Sequence, residues 1–157
     1  MSIYGTNEKS LKGSLMLADP SLIEPTFRQS VLLLTEHSEQ GAYGYILNRP
    51  IGKTVGDLLT EASFEELKDI PVFMGGPVSM EHLTFSAIAW SDYGDSLQFV
   101  THLSAQEALM HQMEGFSIRA FVGFSEWDEG QLEDELEEET WITCKAEKRI
   151  VLSLIHI

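Results

Sequence analysis

Cysteine, long apolar runs and basic residues are all scarce in this chain. The single cysteine, Cys144, cannot form an internal disulfide or a thiolate metal cage, so disulfide-stapled and cysteine-zinc folds are excluded. The longest apolar run, residues 31–34, is only as long as a short strand, and the N-terminus lacks the apolar segment of a signal peptide. These absences predict a cytoplasmic protein with no membrane segment.

The shortage of basic residues restricts the choice of partner. Lys and Arg number 10 against 25 Asp and Glu, which gives a formal net charge of −15. Such a surface repels nucleic-acid phosphates and anionic lipid at long range. The charge therefore predicts no direct nucleic-acid partner. It leaves open an unknown protein or small-molecule partner, and the oligomeric state with it.

The residues that are abundant favour a single α+β domain. Apolar residues make up 43% of the 157, enough for one core. Residues 30–35 are apolar on both faces of a strand, and Gly41-Ala42 turns the chain into a second strand at 43–48. These two strands are predicted to pair antiparallel, because a short turn that contains glycine cannot make a parallel crossover.

Further strands and short helices interleave irregularly, which favours α+β over a regular βαβ array. Thr54 is placed to begin one helix. Ser63 with Glu66, and Ser104 with Glu107, have the spacing of capping boxes that begin two more. The other predicted elements are strands at 14–18, 72–74, 82–90, 97–101, 117–124 and 143–152, and a helix at 129–139.

Two motifs resemble catalytic signatures but are incomplete. Gly52-Lys53-Thr54 ends like a phosphate-binding P-loop, yet Leu47 stands where the first glycine belongs, so Thr54 is better interpreted as a helix cap. Ser125 lies in a sequence similar to a nucleophile elbow, but Trp127 replaces the second glycine that the tight turn needs. Neither motif supports a nucleotide or hydrolase site.

The segment 126–139 holds nine acidic residues and no Lys or Arg. It could bind divalent cations loosely, but an ordered calcium site needs alternating oxygens in an irregular loop rather than a helix. A solvated helix face anchored by Leu132 and Leu136 is the simpler interpretation. We therefore expect no structural metal and no cofactor.

Two short segments remain as candidate binding sites. Glu36 and His37 end an apolar strand beside a turn and could form an acid/base pair. Neighbouring strand residues point to opposite faces, however, so the alternative is that Glu36 accepts turn amides. Gly75-Gly76 could let a ligand approach exposed backbone amides, or could simply make a tight turn before Pro77.

Three segments together resemble a known family. They are residues 13–50, which include EHSEQGAYGYILNRP, residues 71–78 (PVFMGGPV) and residues 123–141, which include GQLEDELEEETW. The chain is identified by them as a member of the bacterial YqgE/AlgH family, which has no settled activity. The resemblance implies an α+β fold whose bifurcated, mainly antiparallel sheet folds into a pseudo-barrel with short flanking helices. The AlgH name is associated with transcriptional regulation of alginate synthesis.

The resemblance also nominates residues. The family-pattern positions are Phe27, Ser30, Glu36, His37, Gly41, Asn48, Pro50, Gly75, Gly76, Pro77, Gly123, Trp127, Gly130, Gln131, Glu133 and Trp141. Many members carry a histidine after the GGPV segment, but residues 83–87 here contain none, so a mechanism that needs it does not transfer. The ligand-binding candidates are Glu36, His37, Asn48, Arg49, Gly75, Gly76 and Gln131; no catalytic residue is assigned.

The sequence and the resemblance together suggest domain boundaries. We expect a mobile arm over residues 1–12, one domain over 13–151 that is incomplete at its C-terminus, and a non-native tail over 152–157. The tail LSLIHI is what a transposase adapter sequence encodes, and family members continue past this point with a further helix. A short native terminal strand is the alternative.

Two functional hypotheses remain. One is a non-enzymatic regulator that acts indirectly through a protein or small-molecule partner, because no catalytic constellation is complete. The other is an enzyme or nucleotide-binding protein with a pocket near Gly75-Gly76 and Glu36/His37. Convergence of the candidate residues on one concavity would favour the second hypothesis, and their dispersal as structural caps would favour the first.

Overall fold

The computed structural model describes residues 10–19, 29–90 and 97–146. The strands in this part of the chain are β1 (Ser14–Ala18), β2 (Val31–Ser38), β3 (Gly41–Ile46), β4 (Pro50–Thr54), β5 (Pro71–Met74), β6 (Val78–Trp90), β7 (Leu97–Leu103), β8 (Ser117–Trp127) and β9 (Trp141–Lys145). The helices are α1 (Val55–Leu58), a 3₁₀ helix (Ala62–Leu67), α2 (Ala105–Met113) and α3 (Gln131–Glu137).

One sheet holds these nine strands, and it branches at β8. The strand order along one path is β4-β5-β8-β3-β2-β1-β9, while β6 pairs with β8 and carries β7. Every pairing among the described residues is antiparallel except that of β5 with β8. The end strands β4 and β9 each have one partner there, so the sheet stays open rather than closing into a barrel. The α+β class and the branched, mainly antiparallel sheet are confirmed.

The β2–β3 hairpin forms the centre of the sheet, and its predicted antiparallel pairing is confirmed. Leu33 lies opposite Tyr45, and Leu32 lies opposite Ile46. Leu33 and Tyr45 pack in a cluster with Leu97 and Phe99 of β7, on a side that we call the β7 face. Leu32 and Ile46 pack with Leu132 of α3, on a side that we call the α3 face. Burial on both faces explains why residues 31–35 are apolar on both sides.

A third apolar cluster lies under the helices at the other branch of the sheet. It includes Val55 of α1, Leu67 of the 3₁₀ helix and Ala108 of α2, each 0% exposed. These side chains meet Phe85 of β6 and Ala120 of β8. The short helices therefore cover the sheet where β6 and β8 pair.

The predicted helix starts have different outcomes. Thr54 caps α1, where its backbone N–H donates to Asp57 Oδ2 at 2.9 Å, and Ser104 caps α2 with both bonds of a capping box. The capping box predicted at Ser63 is wrong. The helix there is 3₁₀ and begins after Glu61, because Leu67 and Phe64 are held against the apolar cluster and set its phase.

Several predictions fall outside the described residues. They concern residues 1–9 of the N-terminal arm, the turn at 91–95, Phe27, the last strand beyond residue 146, and the tail at 152–157. Residues 10–12 of the predicted arm lie beside β2. Ser10 Oγ donates to the carbonyl of His37 at 3.2 Å, and the Gly13 N–H bonds the carbonyl of Leu34 at 2.7 Å.

Candidate functional site

His37 lies at the end of β2 on the α3 face, where both of its ring nitrogens are bonded. Its Nδ1 accepts the Leu11 backbone N–H at 2.8 Å, and its Nε2 lies 2.8 Å from Glu133 Oε2. Since Nδ1 accepts a hydrogen bond, the ring proton is assigned to Nε2, which donates to the carboxylate. The His37 side chain is 7% exposed, so this imidazole links the segment before β1 to α3.

Glu36 points to the opposite face of the sheet. The β2–β3 register shifts between Leu34 and Glu36, which marks a bulge, but the bulge does not bring Glu36 and His37 together. Glu36 Oε2 lies 3.4 Å from Lys12 Nζ, and both residues line an open groove of about 610 Å³ beside residues 97–101 of β7. Ser38 Oγ accepts the Gln40 amide in the turn, at 3.1 Å, where Glu36 was the expected acceptor.

Gln131 fixes the beginning of α3. Its Oε1 accepts the Asp128 backbone N–H at 3.0 Å, and its Nε2 donates to Glu135 Oε2 at 3.0 Å. Glu135 Oε1 in turn accepts the indole N–H groups of Trp127 at 3.0 Å and Trp141 at 2.9 Å. This carboxylate joins the helix to two tryptophans whose rings meet edge to face at 6.0 Å.

The acidic segment is therefore only partly a solvated surface. Leu132 is 1% exposed and Leu136 packs against the same cluster, as predicted. Sequence reasoning missed the role of Glu135, which it counted among the like-charged residues. The i, i+4 spacing from Gln131 to Glu135 was the available signal, but the indole partners are visible only in the fold.

Asn48 and Arg49 lie at the other end of β3, beside the first residues of β2. Asn48 Oδ1 accepts the Val31 N–H at 2.9 Å, and its Nδ2 donates to the carbonyl of Gln29 at 3.1 Å. Arg49 Nη2 donates to Ser30 Oγ at 3.3 Å. Both side chains thus hold the chain in place where it enters β2.

Gly75 and Gly76 are buried, and their backbone atoms pack closely against β8. The Gly75 N–H bonds the carbonyl of Val122 at 2.9 Å, and its carbonyl accepts Ser125 Oγ at 3.1 Å. A Cβ added at Gly76 would lie 2.2 Å from the Phe124 carbonyl carbon. The two glycines allow backbone to pack on backbone, so their amides are not presented to a ligand in the way that the binding hypothesis needs.

The candidate residues lie in three separate places. His37, Gln131 and the Glu133 carboxylate lie around the start of α3, while Asn48, Arg49 and Gly75-Gly76 lie near the far end of β3. The six residue steps from Ala42 to Asn48 correspond to about 20 Å of extended chain. Glu36 stands apart on the β7 face. The structure brings His37 and the start of α3 together and does not gather all seven candidates on one concavity.

The motif-like segments have structural roles. Ser125 is 0% exposed and lies inside β8, not at a strand-to-helix turn, so it has no nucleophile elbow. Gly52-Lys53-Thr54 belongs to strand β4. Within residues 10–19, 29–90 and 97–146, no group of three or more His, Cys, Asp or Glu side chains could hold a metal ion. None of the helices described there is long and apolar enough to cross a bilayer.

Two buried polar residues make contacts that the sequence does not reveal. The Arg119 guanidinium lies 3.9 Å from the centre of the Phe73 ring and donates to the carbonyl of Leu47 at 2.9 Å. Burial lowers the pKa of Arg119 to about 10. Burial also raises the pKa of the Tyr45 hydroxyl, and a hydrogen bond with Thr84 opposes that rise. Each contact joins strands that are distant in the chain, so no local sequence pattern predicts it.

Comparison with known proteins identifies the family. The AlgH-like family model matches residues 15–156. The chain belongs to the AlgH-like family. It is 32% identical to a UPF0301 protein of Chlorobium limicola, over 93% of this chain and 81% of that protein. It is 35% identical to a UPF0301 protein of Streptomyces coelicolor, over 90% of this chain and 79% of the other.

Comparison with solved structures supports the same fold. The solution structure of the AlgH protein from Pseudomonas aeruginosa matches with a TM-score of 0.66 and 28% identity, covering 91% of this chain and 81% of that one. A crystal structure of a protein from Corynebacterium diphtheriae matches with the same TM-score at 22% identity, which supports the fold alone. The resemblance inferred from the sequence is confirmed.

Proposed function

We propose that this AlgH-like protein is a non-enzymatic cytoplasmic binding protein, and that any effect on transcription is indirect, through a protein or small-molecule partner. The observation that carries the proposal is how the family-pattern polar groups are used. His37, Gln131 and Glu133 hold α3 and the chain before β1 against the sheet. Asn48 holds the start of β2. These contacts give the family-pattern polar residues named here a role in the fold that requires no ligand.

Catalysis needs the reacting groups within hydrogen-bond reach of one position. Glu36 and His37, the one candidate acid/base pair, face opposite sides of the sheet. Ser125, the nucleophile that the elbow-like motif would supply, is buried and donates to a backbone carbonyl. These placements favour a binding protein over a hydrolase or transferase.

An indirect role in transcription is supported by charge. A formal charge of −15 opposes contact with a phosphate backbone, which proteins usually make through Lys and Arg. Charge does not oppose contact with another protein. The role associated with the AlgH name is therefore proposed here as one exerted through a partner.

The alternative, a nucleotide- or small-ligand-binding enzyme, has less support. It requires Gly75-Gly76 and Glu36/His37 to share a pocket, but Gly76 is packed against Phe124 and Ser125 while Glu36 borders the groove beside β7. Its remaining support is that groove, whose volume is sufficient for a small molecule.

A thermal-shift screen separates the two proposals. A ligand present at about 100 times its Kd stabilises a protein by about 2.7 kcal/mol, which for a domain of this size raises Tm by roughly 5–10 °C. We expect no rise of that size from nucleotides, divalent metals or redox cofactors. A saturable rise with one nucleotide would favour the enzyme.

Reciprocal affinity capture tests the partner directly. Tagged protein, expressed at its native level, should retain one protein at constant stoichiometry, and that protein when tagged should retain the AlgH-like chain. Failure of reciprocal capture, together with a saturable shift in the ligand screen, would replace the proposal with its alternative.

A further inference from the structure

Tyr43 is an exposed aromatic residue on the β7 face of the central sheet. Its side chain is 45% exposed, although its neighbours Ala42 and Gly44 are buried. Its ring contacts the Phe124 ring at a centroid distance of 5.9 Å and a tilt of 51°. The tyrosine is therefore held by packing on one side and open to solvent on another.

Two carboxylates flank this ring across the sheet. Glu36 of β2 is the register partner of Tyr43 on one side, and Glu126 of β8 is its partner on the other. Side chains of directly opposed residues lie on the same face with their Cβ atoms about 4.5–5.5 Å apart. Both glutamates are exposed, so Glu36, Tyr43 and Glu126 form a row that we call the Tyr43 row.

An aromatic face between two carboxylates is suited to a cation. The ring attracts a guanidinium or ammonium group through its quadrupole, and the carboxylates add hydrogen bonds and charge. One of the two carboxylates already pairs with a cation, because Lys12 Nζ lies 3.4 Å from Glu36 Oε2. That pair is exposed on both sides and is therefore weak enough to be exchanged.

The surroundings of the row favour a polypeptide. The open groove of about 610 Å³ that begins at Lys12 and Glu36 continues along β7. Its lining includes the apolar side chains of Leu97, Phe99 and Val100, of which Val100 is 38% exposed. An extended chain could place one cationic side chain on the row and apolar side chains along β7.

We propose that the Tyr43 row and the adjoining groove bind an extended, cationic segment of a partner protein. The segment places an Arg or Lys side chain over the Tyr43 ring between Glu36 and Glu126. This inference rests on the proposed partner-mediated function and names the chemistry of that partner. The formal charge of −15 complements such a segment and steers its approach.

The test uses the full chain and a defined probe, a fluorescent Arg-Ala-Arg-Ala-Arg peptide with blocked ends. Its control is the same peptide with citrulline, the uncharged isostere, in place of each arginine. We expect the arginine peptide to bind and the citrulline peptide to bind at least tenfold more weakly, because the charge is lost. Amide resonances near residues 36, 43 and 126 should shift on titration.

Variants then locate the contact. Glu36→Gln with Glu126→Gln should weaken binding roughly fivefold to tenfold, whereas the same charge change at exposed Glu114 and Glu137 should weaken it less than about twofold. Tyr43→Ala should weaken binding about twofold to fivefold, and Tyr43→Phe, which keeps the ring, should leave it within about twofold. All these side chains are exposed, so the variants should fold.

Three outcomes would overturn the inference. They are equal weakening by the two double variants, equal affinity for the two peptides, and resonance shifts confined to α3. A partner that is captured reciprocally, yet binds the Glu36→Gln/Glu126→Gln variant as tightly as the parent protein, would also overturn it. In that case the proposed function would stand, because only the location of the contact would have failed.

Discussion

At the scale of single residues, Gly76 is the position, among the glycines that the structure describes, at which an added Cβ would make its shortest contact. A Cβ there would lie 2.2 Å from the Phe124 carbonyl carbon and 2.4 Å from Ser125 Oγ. Backbone atoms cannot yield as the end of a flexible side chain can, so Gly76→Ala should lower the free energy of unfolding by about 1–3 kcal/mol or more. Urea denaturation followed by circular dichroism measures the loss.

Gly52→Ala is the matched control for that substitution. Gly52 has a φ of +78° and nothing within 4 Å of an added Cβ, so its replacement costs only the left-handed conformation, about 1–2 kcal/mol. Unchanged stability in Gly76→Ala, accompanied by loss of a ligand-dependent thermal shift, would contradict the packing role. It would support a binding loop at Gly75-Gly76 instead.

At the scale of elements, the Glu135 carboxylate is one of the contacts that attach α3 to the sheet. Glu135 accepts both indole N–H groups, so Glu135→Ala removes the acceptor that Trp127 and Trp141 use. We expect a loss of about 1–3 kcal/mol in the free energy of unfolding, together with displaced indole N–H resonances. Glu135→Gln should lower the free energy of unfolding by less, because the glutamine side chain keeps one carbonyl oxygen as an acceptor.

Glu137→Ala tests whether charge alone explains the effect. Glu137 lies in the same helix and is exposed, and its removal relieves a like-charge contact with Glu133 four residues earlier. The free energy of unfolding of the Glu137→Ala variant should differ from that of the parent protein by less than about 0.5 kcal/mol. Equal losses in Glu135→Ala and Glu137→Ala would show that helix charge, and not the indole contact, controls the attachment.

Helix α2 offers a second test, because two serines share the same sequence signature. Ser104 Oγ accepts the Glu107 N–H at 3.1 Å, so Ser104→Ala should cost about 1 kcal/mol in unfolding free energy. Ser63 lies inside the 3₁₀ helix rather than before it, so Ser63→Ala should change stability by less than about 0.5 kcal/mol. A larger loss in Ser63→Ala than in Ser104→Ala would contradict this assignment.

The same capping box predicts a dependence on pH. The Ser104 backbone N–H and side chain lower the pKa of Glu107 below its ordinary value of 4.5. A carboxylate with a lowered pKa stabilises the fold above its unfolded pKa, and the contribution is lost as pH falls through the folded pKa. The stability difference between the parent protein and Glu107→Gln should therefore shrink below about pH 4.5 in urea denaturation. A difference that grows there would contradict the bond.

The elements were more predictable than the contacts between them. Alternation and turn residues were enough to predict β2, β3 and their antiparallel pairing, because those signals are local. The contact of His37 with Glu133 joins residues 96 positions apart. The close packing of Gly76, which lies between β5 and β6, against Phe124 of β8 also joins segments that are distant in the sequence. Ser63 and Ser104 look alike in sequence, and only packing around Leu67 distinguishes them.

At the scale of the whole molecule, net charge is the dominant property. The formal net charge is −15. The protein should therefore show no sequence-dependent binding to duplex DNA near 150 mM salt, because contacts between basic side chains and phosphates supply much of the affinity in such complexes. Fluorescence anisotropy with promoter and scrambled duplexes measures this. Sub-micromolar binding that distinguishes the two duplexes would refute the expectation and would make a direct regulatory role the better proposal.

The branching of the sheet at β8 has a consequence for the order in which the molecule is made. Strands β3, β5 and β6 all pair with β8, which is residues 117–127. During synthesis, the edges of these three strands that pair with β8 therefore remain unpaired until residues 117–127 have been made. Distant pairing of this kind slows folding and leaves strand edges available for aggregation. A nascent chain stalled before Ser117 should thus depend on chaperones far more than one released after Trp127.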